Sequence, residues 1–139
     1  DLGIAMQLTN IARDVNEDKG RNRQYIKPDF FAIKETINDS QVFYQKSFSS
    51  ISSIPLRSRF SVIVARRVYK KIGDYILKKQ NKENYNMAGK IYVPFYEKII
   101  QTFLSIIDFF KLLFVKQLVY DNHINHDILE KEINFNERI

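Results

Sequence analysis

Apolar residues recur at helical spacing along most of the chain. At about 100° per residue, Ile4, Ala5, Leu8, Ile11, Ala12 and Val15 gather on an arc of roughly 20° to 140°. Gln7, Asn10, Asp14 and Asp18 fall at roughly 340°, 280°, 320° and 0°, with Glu17 near 260°. The pattern predicts a first helix that buries one side and presents two amides and three carboxylates on the other. A second helix is predicted from about Leu56 to Lys79. Val64, Ala65, Val68, Tyr69, Ile72, Tyr75 and Ile76 form its apolar arc, and Arg59, Arg66, Arg67, Lys70 and Asp74 take the other side as a solvated face. The Ser-rich stretch from Ser47 to Ser53 reads as a frayed helix end before Pro55.

After Pro94 the chain turns strongly apolar, and residues 103–120 approach the length of a membrane span. Asp108, Lys111 and Lys116 argue against one, since each costs about 2.5–3.5 kcal/mol at the centre of a bilayer. A core helix of a bundle is expected instead, with an interfacial helix lying on a membrane as the alternative.

Hydrophobic residues make up 45% of the 139, with only 4 Gly and 3 Pro, which favours long packed helices over disorder or a turn-rich β fold. The fold class is therefore all-α, with one helical domain over 1–120 and a polar tail over 121–139. Residues 57–82 hold nine cations against Asp74, more than the whole chain's net charge of +6. Nucleic acid or an anionic membrane would exploit such a run. The abundance of Lys, Asn, Ile, Phe and Tyr is also what AT-rich codons produce, so the basic balance says little about partners, and no nucleic-acid partner is expected. No Cys is present, which excludes a disulfide framework and fits a reducing, cytoplasmic setting. His123 and His126 lack a third ligand of the right type nearby and are given a structural or solvent role.

The polar face of the first helix carries the chemistry. Residues 1–18 contain no Lys, and Asp14, Glu17 and Asp18 crowd the last turn, where the helix dipole disfavours anions. A sequence that breaks a local rule is a candidate functional site; a solvated acidic helix end is the plainer alternative. Carboxylates four residues apart suit Mg²⁺, which takes one or two protein carboxylates and completes its octahedron with water and phosphate oxygens. The following loop, Lys19-Gly-Arg21-Asn-Arg23-Gln-Tyr25, offers cations and a phenol for a diphosphate, or is merely a basic turn. An EF-hand loop starting at Asp14 fails, because Lys19 stands where Gly is required and Tyr25 where the bidentate Glu is required.

The run from Leu2 through Gln7, Asn10, Arg13, Asp14 and Asp18, continued by Arg21, Arg23, Tyr25 and Pro28, strongly resembles the second aspartate-rich motif of squalene and phytoene synthases. The Leu-Thr-Asn-Ile-Ala-Arg-Asp-Val wording is closer to the phytoene synthase branch. Ile54-Pro55 through Arg59, Ala65, Tyr69 and Ile72, and then Lys90-Ile-Tyr-Val-Pro, are similar to later family segments, although the family usually has Arg near position 90. The resemblance implies the C-terminal portion of the isoprenoid synthase helical fold. It further implies Mg²⁺-dependent head-to-head condensation of two prenyl diphosphates, geranylgeranyl or farnesyl diphosphate, in isoprenoid or carotenoid biosynthesis. By position, Asp14, Asp18 and Asn10 would hold Mg²⁺, Gln7 would contact metal-bound water or diphosphate, Arg13, Arg23 and Tyr25 the diphosphate, and Tyr69 the pocket wall. Peripheral association with the inner face of a membrane would suit an oily product.

Two departures are expected to matter. The family's first Asp-rich motif is absent from this sequence, and the chain between Pro28 and Tyr44 looks shorter than the family by about one helix. Both point to a C-terminal fragment that is inactive alone. The competing reading is a non-catalytic scaffold or assembly factor of the same family, or a degenerate remnant. A basic nucleic-acid-binding module is weaker still, because it leaves residues 7–18 unexplained.

Overall fold

The computed structural model describes residues 1–114, and among these every regular element is helical. The order is α1 (Leu2–Gly20), α2 (Phe30–Ser50), a 3₁₀ turn (Ile51–Ser53), α3 (Leu56–Leu77), a short α4 (Lys82–Met87) and α5 (Phe95–Phe114). The all-α expectation holds. The predicted polar tail, His123, His126 and Lys116 lie outside the described residues.

The helices run alternately up and down. Leu8 and Ile11 of α1 pack near Phe43 and Tyr44 of α2, while Ala12 and Val15 meet Ile33 and Ile37, so the pair is antiparallel. α3 returns beside both, adding Ile72 and Ile76 to the cluster around Ile33 and Ile37. At Gly73 α2 and α3 come close: a Cβ there would stand 3.2 Å from Ile37 Cγ2 and 3.4 Å from Gln41 Nε2, tighter than most packed contacts.

The buried face of α1 is the one its periodicity marks, except that Ile4 is only partly buried and one residue is added. Thr9 is fully buried, donating to the Ala5 carbonyl at 2.9 Å and sharing a hydrogen bond of 3.1 Å with the Tyr44 hydroxyl. The chain leaves α1 by folding back on it: the amides of Arg21 and Arg23 both bond the Asp18 carbonyl, and Asn22 takes φ 56°. Asn tolerates that left-handed geometry better than most residues. α2 then starts on the Asp29 carboxylate, which accepts the Ala32 amide at 2.7 Å.

The Ser47–Ser53 stretch is an ordered helix end, contrary to expectation. Ile51 is buried, and Ser47 and Ser52 return their hydroxyls to carbonyls three residues back. Serine competes with the backbone for its own hydrogen bonds, and here that tightens the last turn into 3₁₀ geometry.

α3 begins where predicted, but its basic side is not a solvated face. Arg66 is buried and donates from Nε and Nη2 to the Tyr44 carbonyl at 3.0 and 2.6 Å, with Phe48 beneath its guanidinium. Arg59 binds the carbonyls of Ser52 and Ile54. Arg67 binds Asp108 of α5 at 2.6 Å and Gln101 at 3.2 Å, and Lys71 reaches Glu97 at 3.4 Å. These contacts, with the edge-to-face pair Phe60–Phe109, set α5 antiparallel to α3.

The core-helix expectation for the apolar stretch is overturned. The buried residues of α5 are Gln101, Ser105, Asp108 and Leu112, a mostly polar stripe, whereas most of its large apolar residues, Phe109 and Leu112 apart, face out. Phe103 is 66% exposed and Phe110 56%. The ion pairs to α3 fix this orientation. No helix among the described residues is long and apolar enough to cross a membrane.

Candidate functional site

α1 displays Asn10, Asp14, Glu17 and Asp18 on the side away from its core. The four stand in different surroundings. Arg13 grips Asp14 with two donors, Nε at 2.8 Å and Nη2 at 2.7 Å, and Lys90 stands 3.6 Å from the same carboxylate. Burial pushes the Asp14 carboxyl up, but Arg13 and Lys90 outweigh it and hold its pKa below the usual value. The same hydrogen bonds raise Arg13. Glu17 is a strut on the rim, tied to Arg21 at 2.8 Å and Lys90 at 2.7 Å.

Asp18 differs from both. It has no ion pair among the described residues, and burial, then the charge of Asp14, raises its pKa against the opposing pull of Arg23 and Arg21. It lines a small surface recess of about 10 Å³, room for little more than one water, together with Arg23, Tyr25, Ile11, Val15 and Pro28. Arg23 is there because its amide is hooked to the Asp18 carbonyl. Asn10, one turn before Asp14, has its Oδ1 shut away from solvent with no hydrogen-bond donor. An orphaned buried acceptor costs about 1–3 kcal/mol.

Tyr69 sits half-buried behind this face, packed against the apolar clusters on both sides, with its phenol in the neighbourhood of Arg13. Gln7 is exposed near the start of α1. The structure thus draws Asp14 to Arg13, and Asp18 to Arg23 and Tyr25, around one helix end. Gln7 stays outside these contacts.

Three contributors were not singled out as site residues. Lys90 bridges Asp14 and Glu17, and Tyr92 lies close enough to act on Arg13. Both come from an extended segment whose alternation, Lys90 out, Ile91 in, Tyr92 out, Val93 in, was available as a period-two signal. Tyr85 is buried on α4 and points its hydroxyl at the carbonyls of Ala12 (2.9 Å) and Arg13 (2.7 Å), fixing the turn that carries the acids.

The protein-family model for squalene/phytoene synthase matches residues 1–30, which hold α1 and the Arg23–Tyr25 loop. The chain is 33% identical over 94 residues to the 15-cis-phytoene synthase of Enterobacter agglomerans, covering 52% of this chain and 32% of that enzyme. It is 32% identical over 120 residues to the chloroplastic phytoene synthase 1 of Solanum lycopersicum, covering 71% of this chain and 28% of the relative. The chain belongs to the squalene/phytoene synthase family. A phytoene synthase of Cereibacter sphaeroides is 33% identical over 98 residues, covering 55% and 28%. The chain spans a third or less of the length of these family members. No solved structure matches it.

The donor set bears on the metal that membership of the family implies. No group of three or more acids or histidines able to hold a metal occurs among the described residues. Mg²⁺ bound through phosphates does not need one, since it takes one or two carboxylates. The unpaired Asp18 carboxylate and the partnerless Asn10 oxygen fit that demand. Asp14 fits once Arg13 releases it, because at present both of its oxygens are engaged.

Proposed function

We propose that this chain carries the diphosphate-binding wall of a prenyl transferase of the phytoene or squalene type, with geranylgeranyl or farnesyl diphosphate as substrate. The observation that carries the reading is the pairing, on one helix end, of an uncompensated carboxylate (Asp18) with cations held beside it. Mg²⁺ bound at Asp18, Asp14 and Asn10 would neutralise the diphosphate and assist its departure.

The residues of the chain supply the rest. Arg13 presents two parallel donors, a geometry that suits phosphate oxygens as well as it suits Asp14. Transfer of its guanidinium to a diphosphate would free the Asp14 carboxylate in the same movement. Arg23 and Tyr25 line the same small recess as Asp18, which supports assigning them to the departing anion. When the allylic C–O bond breaks, its electron pair leaves with diphosphate, and the remaining cation needs a dry wall. Tyr69, seated against both apolar clusters, is assigned to that wall. The 139-residue chain alone is read as inactive, because this face offers one acid pair and head-to-head condensation in the family uses two. Peripheral association with the inner face of a membrane, for an oily product, belongs to the same proposal.

Calorimetric titration with Mg²⁺ and inorganic diphosphate together tests the site. Binding that requires both ligands and is lost in Asp18→Asn supports it. Release of a C30 or C40 hydrocarbon from labelled prenyl diphosphate by the isolated chain would overturn the inactivity.

One observation favours a second reading. Asp14 and Glu17 are already satisfied by Arg13, Arg21 and Lys90, as in a scaffold whose acids only brace the fold. On that reading neither Mg²⁺ nor diphosphate binds, and Asp18→Asn changes stability alone.

A further inference from the structure

Residues 1–18 contain no Lys, and Asp14 and Glu17 take their ammonium from far along the chain. Lys90, 73 residues after Glu17, donates from Nζ to Glu17 Oε2 at 2.7 Å and stands 3.6 Å from Asp14 Oδ1. Exposed ion pairs of this kind contribute too little to hold a lysine and its backbone in one place. The chain on either side of Lys90 shows what does.

Upstream is Tyr85, the buried residue of α4, only 1% exposed. Its side chain packs in the cluster with Ala12 and Val15, and its hydroxyl is shared between the Ala12 and Arg13 carbonyls at 2.9 and 2.7 Å. That bond ties α4 to the turn of α1 directly before Asp14. Asn86 adds to the tie by accepting from Asn16 at 3.1 Å. Downstream, Ile91 and Val93 are buried in the same cluster.

Between these two anchors the chain turns at Gly89, which takes φ 60°. A Cβ there would meet nothing within 4 Å, so the demand is on the backbone alone. A β-branched residue is strained in that left-handed geometry, whereas Asn tolerates it. With both anchors set, successive residues of the extended segment face opposite ways: Ile91 goes into the core and Lys90 out to the acids of α1.

We infer that Tyr85 and Gly89 are positioning residues of the α1 site: between them they deliver Lys90 to Asp14 and Glu17. The site thereby meets a diphosphate and its Mg²⁺ with an ammonium brought in from another part of the chain. The identity of the ligand rests on the diphosphate reading proposed above; the delivery of Lys90 does not.

Two measurements on the 139-residue chain test it. Zero-length carbodiimide coupling, read by peptide mass, should join Lys90 to Glu17 in the parent. Gly89→Val and Tyr85→Phe should lower the yield of that link roughly twofold or more, and Gly89→Asn should keep it. Calorimetric titration with Mg²⁺ and inorganic diphosphate is the second. Lys90→Met should weaken binding roughly tenfold, as expected for the loss of one charge-assisted contact, and Gly89→Val should weaken it severalfold. Added to Lys90→Met, Gly89→Val and Tyr85→Phe should each change binding by less than about twofold, because the lysine through which they act is gone. Circular dichroism matching the parent confirms that each variant is folded; should Gly89→Val not fold, Tyr85→Phe decides by the same two readings. Effects on binding that persist undiminished beside Lys90→Met mark Tyr85 and Gly89 as structural only and overturn the inference. So does a Lys90–Glu17 link that the substitutions leave unchanged. A parent that forms the link yet binds no Mg²⁺ with diphosphate retires the diphosphate reading and leaves the delivery of Lys90 supported by the cross-link.

Discussion

Replacing Asp18 by Asn should move stability and ligand binding in opposite directions. Asp18 lies in the last turn of α1, which ends at Gly20, and a carboxylate there opposes the helix dipole by about 0.3–1 kcal/mol. Its repulsion from Asp14 one turn earlier adds about 0.2–0.5 kcal/mol, and the attraction of Arg21 and Arg23 offsets part of both. Neutralising the side chain should therefore stabilise the free chain by about 0.5 kcal/mol, a rise of about 2 °C in midpoint for a domain of this size. Mg²⁺ and diphosphate at about ten times their joint Kd should stabilise the parent chain by about 1.4 kcal/mol, whereas a tenfold weaker site gains only about 0.4 kcal/mol at the same concentration. Thermal melts followed by circular dichroism, with and without both ligands, measure all four states. An Asp18→Asn chain that melts lower than the parent when free and gains as much as the parent from the ligands would remove Asp18 from the site.

Acidification reads the two carboxylates separately. Asp18 has a raised pKa, so the protonated form is favoured in the fold, and ligand-dependent stabilisation should fade as pH falls through that raised value. Asp14 has a lowered pKa, so its contribution to stability is complete above the ordinary value of 3.8 and is lost as pH falls through the lower folded one; Asp14→Asn should flatten that acid limb in urea titrations. Asp108→Ala should cost about 2–3 kcal/mol in urea unfolding, because Arg67 keeps a partly buried charge with no carboxylate, and Arg67→Met with Asp108→Leu should recover most of it. Tyr85→Phe should cost about 1 kcal/mol, the worth of one hydrogen bond shared between two carbonyls that already serve α1.

Periodicity alone revealed α1, its buried face and the start of α3, because a 3.6-residue stripe of Leu, Ile and Val has one dominant explanation. It misplaced Arg66 and inverted α5 for a common reason. Hydropathy assigns charged groups to water, yet Arg66 is held by a carbonyl of another helix, and Asp108 by a guanidinium of another helix. Partners distant in sequence leave no trace in a local pattern. Thr9 was hidden in the same way, its hydroxyl satisfied by Tyr44. The motif residues of α1 were legible because their spacing is local, but the sequence could not show that Arg13 closes on Asp14 while Asp18 stays open.

The polar seam between α3 and α5 gives the molecule two kinds of cohesion. α1, α2 and α3 are joined by continuous apolar clusters, which open only when the whole bundle does. α5 is attached by Arg67, Gln101, Asp108, Lys71 and Glu97, with apolar anchorage confined to its far end at Phe109 and Leu112. Such an element can exchange its amides in a sub-global opening well below the free energy of global unfolding. Hydrogen exchange should therefore resolve α5 as a separate cooperative unit, one whose detachment responds to ionic strength while the three-helix core does not.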